Sequence, residues 1–430
     1  MADPQHTQHD QYDVVIIGGG MVGLSLACAL QNFLHKNSAK KIANKTARVL
    51  LLESKPVKID KVLQPGFDAR STVLSYGTVQ YLESLGLWDE LKTKAEAIKT
   101  IHISDQSHFG SAQIKAQETI FEEAVDALGV VVENQDLGLA LNKTLLGARQ
   151  IEVKSPVQVN LISHQAHSAL LECQSGDEIF TIKTSLVVLA DGGRSGLSEK
   201  LGIHRKQKNY DQVAIIANVA FSKAHNNVAY ERFTPNGPLA LLPLLNHDQN
   251  YRAALVWTQN AHEYKEIIKL SDEDFLVKLQ EEFGQRLGTF LKVGERAAFP
   301  LSLQEAEEQI RHNLVLLGNV AHTLHPVAGQ GFNLAFRDAM RLAENISRSM
   351  DMGENPGSYS RLQEYLDSTK FDQAKTIGFS HYLPQFFSSN QQALVWLRKF
   401  GLLSVDLLPP LKQTLSNQAM GVSDRMIKLV

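Results

Sequence analysis

Cysteine is nearly absent from this 430-residue chain: Cys28 and Cys173 are its only two, too few for a disulfide framework and not at metal-ligand spacing. A reducing compartment is expected. Excess charge is also lacking, with 43 Lys and Arg against 46 Asp and Glu, and a net charge of −3 leaves no footprint for nucleic acid. No apolar run approaches the roughly 18 residues that a membrane-spanning helix needs. The opening MADPQHTQHD has neither the apolar core of a secretory signal nor the Arg-rich pattern of a mitochondrial presequence. A cytoplasmic protein is expected on these grounds. Repeats and low-complexity tracts are missing too.

What the chain has is 43% hydrophobic residues over a length that suits two domains. It opens on DVVIIGGGMVGLSLACAL, an apolar run broken by glycines and resumed by small residues, which reads as strand, turn and buried helix. Gly18, Gly20 and Gly23 give G-x-G-x-x-G. The first permits a tight turn, the second lets a pyrophosphate approach the backbone, and the third lets helix and strand pack closely. The helix N-terminus adds free N–H groups. A second strand, RVLLLES, ends in Glu53, whose carboxylate suits an adenosine ribose and repels a 2′-phosphate. The basic stretch between them, HKNSAKKIANKTA, reads as a solvated insertion.

Further on, Leu74, Val79, Leu82, Leu85 and Leu87 predict a helix with Arg70 at its mouth, as a surface arginine or as a cation over a cofactor phosphate. Short strands are expected over 100–116 and a helix near 135–146. Residues 151–190 predict strands with a QSGDE turn, ending in the buried strand SLVVLADGG. The four alternating runs over 212–257 lack intervening helices and predict a mainly antiparallel sheet, with a capped helix from Ser271 behind it. Next, Leu314 to Leu317 lead through Gly318-Asn319 into a loop and a long helix. The leucine- and aromatic-rich C-terminal stretch is either packed core or interfacial. The strand ends at Gly18, Asp191-Gly192 and Gly318-Asn319 share one pattern, a buried strand followed by small polar residues. Side by side in one sheet, their carboxyl ends would converge on a single crevice.

GGGMVGLSLA, ARSTVLSYGTVQYLESLGLW, LADGGRSGLSEKLGI, GPLALLPL and GNVAHTLHPVAGQGFNLAFRDA, in this order, resemble the FAD-dependent aromatic hydroxylases. These are class A flavoprotein monooxygenases with the para-hydroxybenzoate hydroxylase fold. Within them the chain is similar to the ubiquinone-biosynthesis hydroxylases of the UbiH/UbiF/Coq6 family, especially the branch acting on 2-octaprenyl-6-methoxyphenol. The resemblance implies an α/β fold: a Rossmann-like FAD-binding domain (residues 11–75, 99–195 and 300–352), a mainly antiparallel substrate domain (76–98 and 196–299) and a C-terminal helical region (353–430).

It further assigns Gly18, Gly20 and Gly23 to the FAD pyrophosphate, Glu53 to the ribose and Arg70 to the phosphate side. Asp191 and Gly192 would lie between the flavin and the nicotinamide path. Gly318 and Asn319 would bind ribityl and phosphate, and the backbone from Pro326 through Gly329, Gln330, Gly331, Phe332 and Asn333 would wrap the isoalloxazine ring. The implied chemistry reduces the flavin with NAD(P)H, forms a C4a-hydroperoxyflavin with O2, and hydroxylates a polyprenyl phenol. Leu239, Leu241 and Leu242 would then be either walls for the prenyl tail or plain sheet core.

The C-terminal helices, with Phe386, Phe387, Trp396, Leu397 and Leu402, are expected to contact a membrane surface or partner proteins, other ubiquinone-biosynthesis proteins among them. One departure stands out: the wider family has Gly-Asp where this chain has Gly318-Asn319, which keeps an acceptor but loses a charge. The methoxyphenol branch shares this Gly-Asn. His322 and His325 fall in the flavin loop, where loop histidines more often orient backbone than move protons, and no catalytic base is assigned. A flavin halogenase is disfavoured by the missing W-x-W-x-I-P signature, and a non-catalytic prenyl binder by the intact Asp191-Gly192 and flavin loop.

Overall fold

The structure, a computed structural model, describes residues 10–39, 47–56, 70–106, 111–119, 125–148, 150–247, 250–326, 329–388 and 409–422. In its first sheet Leu314–Leu316, Glu178–Leu189, Asp10–Ile17, Val49–Leu52 and Ile151–Lys154 run parallel as successive neighbours. These strands carry unbroken apolar runs because both faces of the sheet are covered. Val14 and Ile16 turn toward helices Met21–Ala39, Asn134–Leu146 and Gln330–Asp351. Val15 and Ile17 turn the other way, onto Ile162 and Leu171 of the antiparallel strands on that side. Fully burying one such aliphatic side chain stabilises by about 1.5–3 kcal/mol.

The second sheet has nine strands, and every pairing in it is antiparallel except that of Val228–Thr234 with Thr100–Asp105. Helix Asp272–Phe283 covers its outer face, capped by Ser271, whose Oγ accepts from the Asp274 N–H at 3.1 Å. Phe275, Leu279 and Phe283 bury there against Trp257, Leu239 and Leu241. Leu239 and Leu241 are therefore core under this helix and not walls of a prenyl pocket. Strand alternation sends Leu242 to the inner face, among Ala229, Leu244 and Ala254.

A small third sheet, Ser71–Ser75, Gly129–Glu133 and Ala95–Ile98, meets that inner face through Val73, Val131 and Ile98. Residues 71–75 are thus a strand, where a helix was expected. Thr72 and Val73 are β-branched and pair with Val132 and Val131, and helix Tyr76–Ser84 starts only after its cap at Ser75. Arg70 enters a strand instead of standing at a helix mouth.

Three segments also sit apart from the expected partition. Val79, Tyr81, Leu82, Leu87 and Leu91, expected with the substrate sheet, join the core of the parallel sheet, with Tyr81 and Phe336 ring centroids 6.3 Å apart. Strands Thr100–Asp105 and Ser111–Lys115, expected with the nucleotide sheet, extend the nine-stranded one, as does Ala297–Ala306. Helices Tyr359–Ser388 and Pro409–Met420 follow. Trp396, Leu397, Leu402 and the side chains of Phe386 and Phe387 lie outside the described residues. No helix among the described residues is long and apolar enough to cross a membrane.

Candidate active site

The three strand ends do converge. The strands before Gly18, Asp191 and Gly318 are neighbours, tied by Ala190 N–H to the Ile17 carbonyl at 2.8 Å and Leu317 N–H to the Leu189 carbonyl at 2.9 Å. Helix Met21–Ala39 begins at this crevice, and Gly318 rests against its Val22. Gly18 has φ +111°, and a Cβ there would meet the Ala190 carbonyl oxygen at 2.5 Å. At Gly23 it would meet the Gly18 carbonyl oxygen at 2.0 Å, yet at Gly20 it would meet nothing within 4 Å. The outer glycines are required by the protein's own packing. The middle one has open space in front of it, as a backbone approached by a pyrophosphate must.

Glu53 lies at the same mouth. Its Oε2 accepts from the Gly19 N–H at 2.7 Å and its Oε1 from the Lys55 N–H at 2.8 Å, so the carboxylate stands beside the cradle with lone pairs to spare for a ribose. These residues fit the adenosine half of FAD: a glycine turn open at one position, a helix N-terminus and an acid at the end of the next strand.

Asp191 works locally. Its Oδ1 accepts from the Gly193 N–H at 2.9 Å and its Oδ2 from the Ser195 N–H at 3.0 Å and the Ser195 hydroxyl, fastening a loop in which Gly192 and Gly193 both have φ near +70°. Gly318, φ +75°, opens a single helical turn on which Asn319 is exposed. Arg70 is exposed with its guanidinium 4.9 Å from the centroid of the Phe299 ring, a cation–π contact on the substrate sheet.

The loop after Asn319 returns to the crevice and ends at helix Gln330–Asp351. Gly329, φ +60°, caps that helix with its Cα against Val73, and its N–H donates to the Pro326 carbonyl at 3.2 Å. Gln330 is buried, Gly331 has open space at its Cβ position, and Phe332 packs on Phe336. Asn333 has no exposure and no spare valence. Its Oδ1 accepts from the Ser75 N–H and Thr78 Oγ1, and its Nδ2 donates to the Val73 and Gly329 carbonyls, all at 2.8 Å. It clamps strand Ser71–Ser75 to the helix N-terminus, so its side chain positions backbone.

Sequence reasoning did not reach several polar partners here. His322 is buried and donates from Nε2 to Asp338 Oδ2 at 3.0 Å. Burial pulls its pKa down, but the hydrogen bond and charge of Asp338 outweigh this and leave it raised. His325 has no exposure and no hydrogen-bond partner for either ring nitrogen among the described residues. Burial, helped by His381, lowers it to about 4, so it is neutral. The Tyr210 ring meets it edge-on at 5.2 Å, and Tyr210 in turn hydrogen-bonds His381 Nδ1 at 2.7 Å. A His-x-x-His pair in a glycine loop was the only advance signal. No cluster of metal-ligating side chains occurs among the described residues.

Comparisons with known proteins identify the family. The FAD binding domain family matches residues 11–365. The ubiquinone hydroxylase UbiL of Rhodospirillum rubrum is 31% identical over 414 residues, covering 95% of this chain and 89% of that protein. The mitochondrial ubiquinone biosynthesis monooxygenase COQ6 of Mus musculus is 29% identical over 444 residues, covering 94% and 89%. Among solved structures, p-nitrophenol 4-monooxygenase PnpA of Pseudomonas putida superposes with a TM-score of 0.75 at 16% identity over 97% of this chain and 100% of that one, a likeness of fold. On the matched span and the near full-length relatives, this chain belongs to the UbiH/UbiF/Coq6 family of FAD-dependent ubiquinone hydroxylases.

Proposed function

We propose that the protein hydroxylates the ring of a polyprenylated phenol in ubiquinone biosynthesis, 2-octaprenyl-6-methoxyphenol in particular, with O2 and NAD(P)H as co-substrates. Bound FAD supplies the redox chemistry, taking electrons from the nicotinamide donor and activating oxygen. The chain's own residues bind and shield it. Gly20 and Glu53 hold pyrophosphate and ribose, Arg70 adds a cation on the phosphate side, and Asp191 and Gly192 shape the nicotinamide side. Gly318 and Asn319 meet the ribityl chain. The amides from Gly329 to Asn333, at the positive end of a long helix, face the ring where negative charge develops, with Pro326 in the loop before them. Val73, pressed against Gly329, joins this loop to the inner face of the substrate sheet, which closes the site against water.

The observation that carries the choice within the family is Asn319, exposed at the third strand end where the wider family has aspartate. As a neutral ribityl acceptor it makes a direct prediction: Asn319→Leu weakens FAD binding about tenfold to hundredfold, the 1–3 kcal/mol cost of a buried hydroxyl left unpaired. Asn319→Asp preserves or tightens it, since an ionised acceptor forms the stronger bond. Fluorescence titration of apoprotein with FAD measures both. Equal affinity of parent and leucine variant removes residue 319 from the cofactor. The likeness to the 3-demethoxyubiquinol 3-hydroxylase of Escherichia coli, 28% identical over 416 residues, favours a second reading, hydroxylation at another ring position of the same pathway. Quinone profiling of a strain lacking the gene separates the two. Accumulated 2-octaprenyl-6-methoxyphenol supports the first, and a different accumulating intermediate of the pathway replaces it with the second.

A further inference from the structure

The inner face of the substrate sheet carries one acid that the cofactor site does not use. Along Val228–Thr234 the side chains alternate: Tyr230 turns outward onto Phe283, ring centroids 5.4 Å apart, and Arg232 donates from Nε to the Glu282 carbonyl at 2.8 Å. Ala229, Glu231 and Phe233 therefore face inward. Ala229 packs in the cluster of Val73, Val131 and Leu242, next to the flavin loop, whereas Phe233 packs with Leu383 and Leu415 of the two C-terminal helices. Glu231 sits between the two clusters.

Across the ladder it meets only apolar residues, Ala240 on one side and Ile103 on the other, with Val256 and Ile216 continuing the row beyond Ala240. On the neighbouring strand the next position on the same face is Asp105, opposite Phe233, and the adjacent Arg232 turns outward. Glu231 has no hydrogen bond or ion pair among the described residues. It is partly accessible although apolar groups surround it. Burial pushes its carboxyl up to about 7. An acid left unpaired on an apolar sheet face costs stability, and such groups in clefts are where function is sought.

We propose that Glu231 is the base of the hydroxylation, accepting the hydrogen bond and then the proton of the ring hydroxyl of a phenol bound under the sheet. This rests on the phenol-hydroxylase reading above and adds the base to it. The phenol O–H bond breaks and a carboxyl O–H bond forms. The electron pair stays on the phenol oxygen, enriching the ring carbon that attacks the activated oxygen. When the ring regains aromaticity, the carboxyl returns its proton to the phenol oxygen, and the hydroxylated carbon gives up its own proton, which leaves with the second oxygen atom of O2 as water. A base with a pKa near the working pH is best matched to this task.

Glu231→Gln keeps the shape and should keep its FAD, but its kcat for hydroxylation should fall about a hundredfold, with NAD(P)H oxidation diverted to hydrogen peroxide. In the parent, kcat rises with pH through about 7. The glutamine profile is flat there, and Glu231→Asp restores the inflection. Thermal unfolding supplies a readout without substrate. The folded carboxyl holds a proton that the unfolded chain gives up above its ordinary value of 4.5. Parent stability therefore falls as pH rises through that window, the glutamine variant lacks this fall, and the Tm gap in its favour widens from pH 5 to pH 8. Unchanged kcat, profile and Tm gap in the glutamine variant overturn the inference. If the parent hydroxylates no prenylated phenol, the functional reading fails and the inference falls with it, whatever the Tm gap.

Discussion

Gly20→Val should give a folded protein that carries no FAD. The expectation comes from a contrast inside one motif. Valine at Gly18 or Gly23 would drive a Cβ to within 2.5 Å and 2.0 Å of backbone oxygen, so those variants should fail to fold. At Gly20 an added Cβ meets no protein atom within 4 Å, and the backbone φ lies outside the left-handed region. The cost to the apoprotein is that of a poorer cap, since the Gly20 carbonyl accepts the first helical bond from Leu24 N–H at 2.9 Å, and a valine cap costs about 1 kcal/mol. The methyl groups fill the space that a pyrophosphate needs against the backbone. Far-UV circular dichroism matching the parent, with no flavin absorbance, is the expected pair of results. Full flavin content in the variant would place the dinucleotide elsewhere.

Asp372→Ala should cost about 3–5 kcal/mol of stability, because it strands a buried guanidinium. Arg337 donates from Nε and Nη2 to the two oxygens of Asp372 at 2.7 and 3.0 Å, and both side chains are almost fully buried. Arg341 stands 3.7 Å from the same carboxylate. This pairing locks helix Tyr359–Ser388 onto helix Gln330–Asp351, whose N-terminus forms the flavin end of the site. Burial raises the Asp372 pKa, but the bonds and charges of Arg337 and Arg341 outweigh it and hold it below the usual carboxylate range. The sign follows: the contribution is complete above the ordinary carboxylate value of 3.8 and is lost as pH falls through the folded value. Urea unfolding should show a lower midpoint for the variant, with the gap closing in acid. An unchanged midpoint at neutral pH contradicts the assignment.

The parallel sheet and its crevice were legible in the sequence because their signals are local. An apolar strand running into glycines announces its own C-terminal end, and three such ends marked the site before their adjacency was seen. Strand Ser71–Ser75 was not legible. Leu74 continues the spacing of Val79 and Leu82, so a five-residue strand merged with the helix behind it. Its true partner, Gly129–Glu133, is more than fifty residues away. The same distance hid the buried pair of Arg252 and Glu133, 119 residues apart at 3.1 Å, which joins the small sheet to the substrate sheet. Glu231 was hidden for a subtler reason. In YERFT it reads as an ordinary solvent-facing acid, and only the outward turn of Tyr230 onto Phe283 shows that it faces the inner side of the sheet.

The central claim is that this crevice holds FAD and delivers an oxygen atom to a prenylated phenol. Incubating the purified holoprotein with NAD(P)H, isotopically labelled O2 and 2-octaprenyl-6-methoxyphenol, followed by mass spectrometry of the ring, tests it most directly. The account predicts one labelled oxygen atom in the product and none when Gly20→Val protein is used. A flavin-loaded parent that consumes NAD(P)H and leaves this phenol and its pathway neighbours unlabelled would contradict it.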